Sequence, residues 1–473
     1  MPPRDNGKML VLRWPSLRRP LDVLFLVACI LLTADVLVPE IWGHGKTKDY
    51  PLWYSAGQQI LHGGDLYPQG LNDGFAFLYP PLSAILLAIP STFGKIPLYF
   101  GLCLLNAAAW WMTAQLSNAM TGSLTTPGPW LEALPGIVTI PFVFDMFDLG
   151  QPNLVLLAIM LLGFWCLWQG RGWLSGSMFA LAAVIKVFPV AVLPYLLWRR
   201  HWTSAISMVA FLGVLLFLVP APVRGFDRNV SELTTWYRGM IGSNSEHGFG
   251  QRDAQNWSWV NQSIIAVTHR LVRPVNYNQI DPAKPAQYMN VANVDYKTAN
   301  GIVLAVFAAI GLGFIAIIPA RAKMTQRSIA EEVGILFCLM TLASPLARQY
   351  YFVWLFFPLT ILFHRAALDF RPKARAVSRL ALGASFALMA LSLPVFPKIL
   401  QAAGNNLAAT FVLIAALAWH IRHPSLASGP HSVARQKKFE RSFNPQLKGQ
   451  QKCPARRNCK PSSTTSTPIS TTA

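Results

Sequence analysis

Long apolar runs recur through this chain and leave it few ways to fold. About 20 residues carry an α-helix across the ~30 Å hydrocarbon core of a bilayer, and residues 21–38 form the first run of that kind. Others follow at 97–119, 132–147, 153–168, 203–220, 298–320, 329–345, 350–364, 376–395 and 404–420. Inside lipid each backbone N–H and C=O must be satisfied within its own segment, so such runs are helices. Composition points the same way: of 473 residues, 53% are hydrophobic and 13% charged, where a soluble domain carries roughly 25% charged residues. The 28 Phe and 16 Trp demand burial in protein or lipid, which excludes disorder over most of the length. The expected fold is an all-α polytopic integral membrane protein. The first run meets Pro39-Glu40 without a small-residue cleavage pattern and reads as a retained helix.

The chain carries 40 Lys and Arg against 20 Asp and Glu, a formal charge of +20. A nucleic-acid binder that basic would not be this apolar, so the cations belong to loops and no nucleic-acid partner is expected. Loops on the cytoplasmic side of a membrane are enriched in Lys and Arg. Arg4, Lys8, Arg13, Arg18 and Arg19 precede the first run; Arg171, Arg199, Arg200, Arg321, Lys323, Arg327, Arg365, Arg371, Lys373, Arg375 and Arg379 lie in later connections, and the segment after His420 is basic. Placing all of these, with both termini, in the cytoplasm sets two conditions. Residues 75–93, broken by Pro80, Pro81 and Pro90, must form a re-entrant or interfacial element. Residues 173–198 must be two short helices that turn at Lys186 and Pro189. The count is then about 12 transmembrane helices, and the polar clusters converge on the extracytoplasmic face: loop 39–80, residues 148–153, Lys186, loop 221–297 and residues 344–351. The other topology divides these clusters between two faces.

The domain reading follows: a basic cytoplasmic N-terminus at 1–20, a transmembrane domain at 21–420 with outer loops 39–96 and 221–297, and a disordered basic cytoplasmic tail at 421–473 lying near anionic membrane lipid. Residues 257–271 are expected as an amphipathic helix at the interface. Localisation is a multi-pass plasma (inner) membrane protein. No strong internal repeat is visible, which counts against an inverted-repeat transporter.

Asp49 heads the candidate functional residues. A carboxylate at the membrane surface beside an apolar wall has a poorly solvated ionised form and can serve as a general base. Asp is also a favoured N-cap, and Asp49 stands just before an amphipathic stretch. Lys186, in Val184-Ile185-Lys186-Val187-Phe188-Pro189, would cost on the order of 3 kcal/mol at the centre of a bilayer. It suits a phosphate or carboxylate ligand, or else snorkels to the interface or pairs with an acid such as Asp148. Arg348, in Ala347-Arg348-Gln349-Tyr350-Tyr351, is either a second phosphate ligand or an interfacial anchor flanked by tyrosines. Gly150-Gln151-Pro152-Asn153 offers amides for sugar hydroxyls, or a tight turn between helices. The candidate sugar- or acceptor-binding residues are Tyr67, Tyr79, Asp148, Gln151, Asn153, Asn261 and Gln262. Asn261-Gln262-Ser263 also fits a glycosylation sequon.

Other chemistry is missing from the sequence. There is no HExxH, Walker loop, GxSxG or DxD pair of the kind that holds a metal-bound nucleotide sugar. Cys29, Cys103, Cys166 and Cys338 lie in apolar runs, and Cys453 and Cys459 lack zinc or redox spacing. Neither a metal nor a cofactor is expected.

The ordered series Asp49-Tyr50, Gly63-Gly64-Asp65-Leu66-Tyr67, Phe77-Leu78-Tyr79-Pro80-Pro81-Leu82, Gly150-Gln151-Pro152-Asn153, Leu181-Ala182-Ala183-Val184-Ile185-Lys186-Val187-Phe188-Pro189, Trp198-Arg199-Arg200, Asn261-Gln262-Ser263 and Ser344-Pro345 resembles glycosyltransferase family 87. The resemblance covers residues 20–420. It implies the GT-C membrane fold and polyprenyl-phosphate mannose as sugar donor. It implies also that Asp49 is the catalytic base, because the family's essential Asp occupies this place in the first outer loop. The hairpin at Lys186 gains support, since GT-C proteins carry a lysine at the outer end of such short helices. One departure stands out: related members tend to have a histidine after Ser-Pro, where this chain reads Arg348-Gln349-Tyr350-Tyr351.

The resulting expectation is an inverting hexosyltransferase that moves a hexose, by resemblance mannose, from a polyprenyl-phosphate donor to a lipid or glycan acceptor of the cell envelope. Asp49 would deprotonate the acceptor, and Lys186 with Arg348 would stabilise the leaving phosphate. The alternative is a transporter or flippase for a lipid-linked or anionic solute, with Lys186 as its membrane-embedded charge.

Overall fold

The computed structural model describes residues 13–45, 49–67, 77–121, 128–242, 246, 252–320 and 324–424. The chain divides into Met1–Ser425 and Leu426–Ala473, and all elements below belong to the first unit. The tail expected to be disordered lies, beyond Pro424, outside the described residues, as do Cys453 and Cys459.

Among the described residues the protein is helical without strands. Helix α1 (Pro20–Ile41) opens on a proline, whose missing N–H is no loss at a helix start. Two short helices follow, α2 (Tyr50–Leu61) and α3 (Pro81–Ser91). The 11 residues of α3 rise only about 16 Å, and its ends bond laterally: Gln58 Nε2 donates to Ser91 O at 2.9 Å and Ser83 Oγ to Ile185 O at 3.2 Å. Next come α4 (Lys95–Met120), α5 (Pro129–Leu149), α6 (Asn153–Trp168) and α7 (Gly172–Ile185). Lys186 takes an extended conformation (φ −150°, ψ 127°) that stops α7, and a 3₁₀ turn at Phe188–Ala191 leads into α8 (Val192–Trp198). Helix α9 (Trp202–Gly213) continues through a π turn at Val214–Leu218 into α10 (Ala221–Arg224).

Between α10 and the next long helix the described residues include the small helices α11 (Phe226–Tyr237), α12 (Asp253–Asn256) and α13 (Ile264–Val272). Then follow α14 (Tyr296–Ile317), α15 (Gln326–Ala343), a 3₁₀ stretch Gln349–Leu355 running into α16 (Phe356–Leu368), α17 (Pro372–Ala390), α18 (Lys398–Ala402) and α19 (Asn405–Arg422). Among the described residues six helical stretches are long and apolar enough to cross a membrane: Pro20–Ile41, Lys95–Met120, Pro129–Leu149, Trp202–Arg224, Tyr296–Ile317 and Gln349–Leu368. Small residues let helices meet closely, the usual device where lipid offers no hydrophobic drive. A Cβ on Gly176 of α7 would stand 2.3 Å from Ser204 O of α9.

Two opposite ends of the bundle are defined by which termini touch. At one, the start of α9 meets that of α7 (Ser207 Oγ to Trp173 O, 2.7 Å), and the end of α4 meets that of α16 (Thr121 with His364, 3.3 Å). Successive acids at the start of α15 there bind arginines from different helices, Glu331 to Arg365 and Glu332 to Arg199, the latter at 2.8 Å. Buried ion pairs of this kind fix helix register, since breaking one strands a charge. At the other end α2, the α5–α6 turn, Lys186 and the α15–α16 connection come together around a cavity.

Some expectations need correction. Residues 257–263 are not helical, so the amphipathic helix expected over 257–271 begins only at Ile264. Asn261 is spent on the 345–347 loop, and Ser263 Oγ caps α13 by accepting from Ala266 N at 3.1 Å. The run 376–395 stops being helical at Ala390, before Pro394 and Pro397. The run 350–364 starts as 3₁₀ helix rather than α, with Tyr350 N held on Asp145 Oδ2 at 3.0 Å.

Candidate active site

The turn between α5 and α6 is the anchor of the site. Gly150 closes α5 in the left-handed region (φ 72°), the standard helix-ending geometry. A Cβ there would lie 2.8 Å from the Tyr50 ring. Gly150 O accepts from Trp53 Nε1 at 2.8 Å, and Gln151 O from Asn106 Nδ2 at 3.4 Å. The chain at Gln151 is thus tied to α2 and α4 before its side chain does anything.

That side chain reaches Asp49. Asp49 does stand at the N-cap position of α2, but its carboxylate makes no capping bond; its Oδ2 accepts from Gln151 Nε2. Gln151 Oε1 in turn accepts from Lys186 Nζ at 2.9 Å and from Tyr79 OH at 3.2 Å. Lys186 also donates to Asn153 Oδ1 at 3.4 Å and lies 4.3 Å from the centre of the Tyr351 ring, 5.2 Å from that of Tyr350. A polar pair and two aromatic faces thus hold the ammonium. Burial pushes the Asp49 carboxyl above the ordinary carboxylate range, against the opposing pull of the Gln151 hydrogen bond and the charges of Arg348, Lys186 and Arg252.

These groups face a cavity of ≈ 390 Å³, within the range of small-molecule sites at roughly 300–1,000 Å³. Asp49, Tyr79, Gln151, Lys186, Arg348 and Arg252 supply much of its polar lining, and Trp236, Met240, Leu52 and Ile280 part of its apolar one. Arg348 stacks on Tyr350 at 5.9 Å from the ring centre. One carboxylate and three cations leave the cavity net positive, suited to an anionic ligand.

Five of the sequence-selected residues thus share one cavity. The others stand outside its lining. Asn153 is fully buried behind Lys186 and donates to Tyr350 O at 3.3 Å. Tyr67 directs its hydroxyl to Tyr79 O at 2.7 Å, shaping the wall from behind. Asp148 lies on α5 one turn below Gln151 and does not line the cavity. Asn261 accepts from Ala347 N at 3.0 Å and donates to Pro345 O at 2.8 Å; Gln262 N donates to Ala347 O at 2.8 Å and its Oε1 accepts from Asn406 N at 2.9 Å. Both side chains are almost wholly buried; that of Asn261 and the backbone of Gln262 brace the loop that presents Arg348, while the Gln262 side-chain carbonyl is taken by the start of α19. Arg252, Trp236 and Met240 were missed. They come from the 221–297 loop, whose polar sequence gives no local sign of which residues the fold will bury.

Among the described residues no group of three His, Cys, Asp or Glu could hold a metal ion. The four cysteines at 29, 103, 166 and 338 are buried and free.

The sequence model of glycosyltransferase family 87 matches residues 77–345. A polyprenol-phosphate-mannose-dependent alpha-(1-2)-phosphatidylinositol pentamannoside mannosyltransferase of Mycobacterium tuberculosis is 29% identical over 212 residues, 41% of this chain and 48% of that protein. Its counterpart from Mycolicibacterium smegmatis is 30% identical over 194 residues, 37% of this chain and 44% of its own. A polyprenol-phosphate-mannose-dependent alpha-(1-2)-phosphatidylinositol mannoside mannosyltransferase of M. tuberculosis is 28% identical over 179 residues, 34% of this chain and 40% of that protein. The chain thus spans about half or less of the length of these curated relatives. No solved structure matches significantly.

Proposed function

Because the chain belongs to glycosyltransferase family 87, we propose that it is a membrane-embedded inverting mannosyltransferase taking its sugar from a polyprenyl-phosphate donor. The observation that carries this reading is the placement of one half-buried carboxylate, Asp49, across a polar bridge from Lys186 and beside Arg348 in one cavity. Asp49 accepts the proton of an acceptor hydroxyl as its oxygen bonds to the anomeric carbon. The bond from that carbon to the donor phosphate breaks, and polyprenyl phosphate leaves. The leaving group is a stable anion, so it needs cations rather than an acid, and Lys186 and Arg348 supply them. A glycosidase requires two carboxylates; here the second place is taken by positive charge.

The acceptor is a glycolipid of the cell envelope, in keeping with the phosphatidylinositol mannosides for which the relatives are named. The end-to-end alternation supports about 12 crossings, with α7 and α8 as a short pair meeting at Lys186 and with α2, α3, α11 and α13 lying on the outer face. Both termini are then cytoplasmic, 21–420 is the catalytic unit, and the cavity faces the extracytoplasmic side. The support is the gathering of basic connections and Arg–Glu pairs at the end opposite the cavity. A transporter finds no comparable support: its polar groups would be spread through the membrane depth, whereas Asp49, Gln151, Lys186, Arg252 and Arg348 gather at one end. Purified Asp49→Asn protein, assayed with a polyprenyl-phosphate mannose and a mannolipid acceptor, is expected to lose transfer. Near wild-type turnover would remove Asp49 as the base.

A further inference from the structure

A single amide stands between the carboxylate and the ammonium. Gln151 presents Nε2 to Asp49 and Oε1 to Lys186 and Tyr79, and only this orientation works, since a flipped amide would set carbonyl against carboxylate and N–H against ammonium. Its backbone is fixed on both sides by Gly150 and by the bond from Asn106. Among the described residues no ion pair joins Asp49 to Lys186, although each lies in the other's field. We propose that Gln151 is a positioning residue, a neutral spacer that orients Asp49 and keeps it from closing onto Lys186.

A direct pair would damage both partners. Asp49 held against an ammonium is a poor proton acceptor, and Lys186 committed to a carboxylate is withdrawn from phosphate. With the amide interposed, Gln151 occupies Oδ2 of Asp49 and leaves Oδ1 for the acceptor hydroxyl. Two of the three ammonium hydrogens go to Gln151 and Asn153, and the third remains for an anion. The amide itself gains and loses nothing in the reaction.

The inference rests on Asp49 as base, yet it can be tested without turnover. The other charged or titratable groups facing Asp49 are Lys186, Arg348, Arg252, Tyr79 and Tyr350. In full-length protein labelled with ¹³C-aspartate, infrared difference spectra corrected with Asp49→Asn give the Asp49 titration midpoint. Gln151→Ala removes the spacer, lets Lys186 close in, and is expected to lower the midpoint, with proton affinity falling about tenfold. Gln151→Glu sets a second carboxylate beside Asp49 and is expected to raise it by at least as much. Gln151→Ser, too short to bridge, replaces the alanine variant if that does not fold. A midpoint that rises in Gln151→Ala, as loss of one hydrogen-bond donor alone would give, or that does not move, overturns the proposal. Mannose transfer by the wild type is the separate arm: its absence would overturn the mannosyltransferase reading while leaving the midpoints to decide the role of Gln151.

Discussion

Lys186→Met isolates the cation that this architecture protects most carefully. A unit charge about 4 Å from the ammonium is worth about 4 kcal/mol at an effective dielectric of about 20. The donor phosphodiester already bears one negative charge, and cleavage adds a second, of which a loose transition state has developed about half. The differential stabilisation is then about 2 kcal/mol, or about 30-fold in kcat. Where water is fully excluded the loss approaches the 10²–10³-fold typical of removing one preorganised oxyanion donor. KM for the donor rises as well, because the same charge holds the ground-state anion. Folding should survive, since Gln151 Oε1 loses Lys186 but keeps the Tyr79 hydroxyl at 3.2 Å, and Asn153 Oδ1 gives up a bond of 3.4 Å, a cost of about 1–3 kcal/mol. The assay is steady-state transfer from a polyprenyl-phosphate mannose in lipid nanodiscs, with kcat and KM separated and thermal unfolding as control. A kcat within about threefold of wild type in folded protein would refute the assignment of Lys186 to the leaving phosphate.

Other expectations follow from the same geometry. If Asp49 is the base it works ionised, and burial raises its carboxyl, so the rate is expected to fall with decreasing pH at values above those of an ordinary carboxylate near 3.9; a pH–rate profile with its acid limb at or below that value would contradict the assignment. Arg252→Gln removes a cavity cation supplied by a loop and should raise the KM of an anionic substrate about tenfold while sparing kcat, a change worth about 1.4 kcal/mol. Gly150→Ala imposes a left-handed conformation that costs an L-residue about 1–2 kcal/mol and meets the Tyr50 ring at 2.8 Å; unfolding temperature and kcat should both drop. Arg270→Leu strands the carbonyls of Ser258, Asn261 and Ala402, each now within 2.8 Å of the guanidinium, and should destabilise the outer loop by on the order of 3 kcal/mol, read as faster proteolysis between α12 and α13.

What the sequence made legible was set by cost. Lys186 is surrounded by apolar residues, and no chain carries an ammonium there without a partner or a purpose. Gly150-Gln151-Pro152-Asn153 interrupts two long apolar runs with groups that a simple turn does not need. Such positions announce themselves because the solvent around them is fixed by the bilayer. Arg252 carries the same charge and faces the same cavity, but it sits in a polar loop where an arginine costs nothing, so no local pattern distinguishes it from Arg228 or Arg238. Asn261 and Gln262 show the converse failure. Amides in an outer loop read as ligands for sugar, yet a loop crossing the mouth of a helical bundle has its own unpaired backbone groups to satisfy, and these two side chains serve Ala347, Pro345 and Asn406 instead.

The loop after Ser344-Pro345, where the family resemblance leads one to expect a histidine, brings Arg348 to the cavity, and the bonds to it from Asn261 and from the backbone of Gln262 fix its path, so exchanging Arg348 for a histidine would change the charge delivered to the cavity rather than the course of the chain. An imidazole can give up its proton near neutral pH, whereas a guanidinium keeps its charge throughout. Donor binding in this protein should therefore lack a histidine-like decline between pH 6 and 8, and Arg348→His should introduce one: donor KM rising with pH through that window, with kcat at pH 6 kept within about tenfold of wild type. A flat KM profile in the histidine variant would place Arg348 outside the electrostatics of the donor phosphate, leaving Lys186 as the cation that receives it.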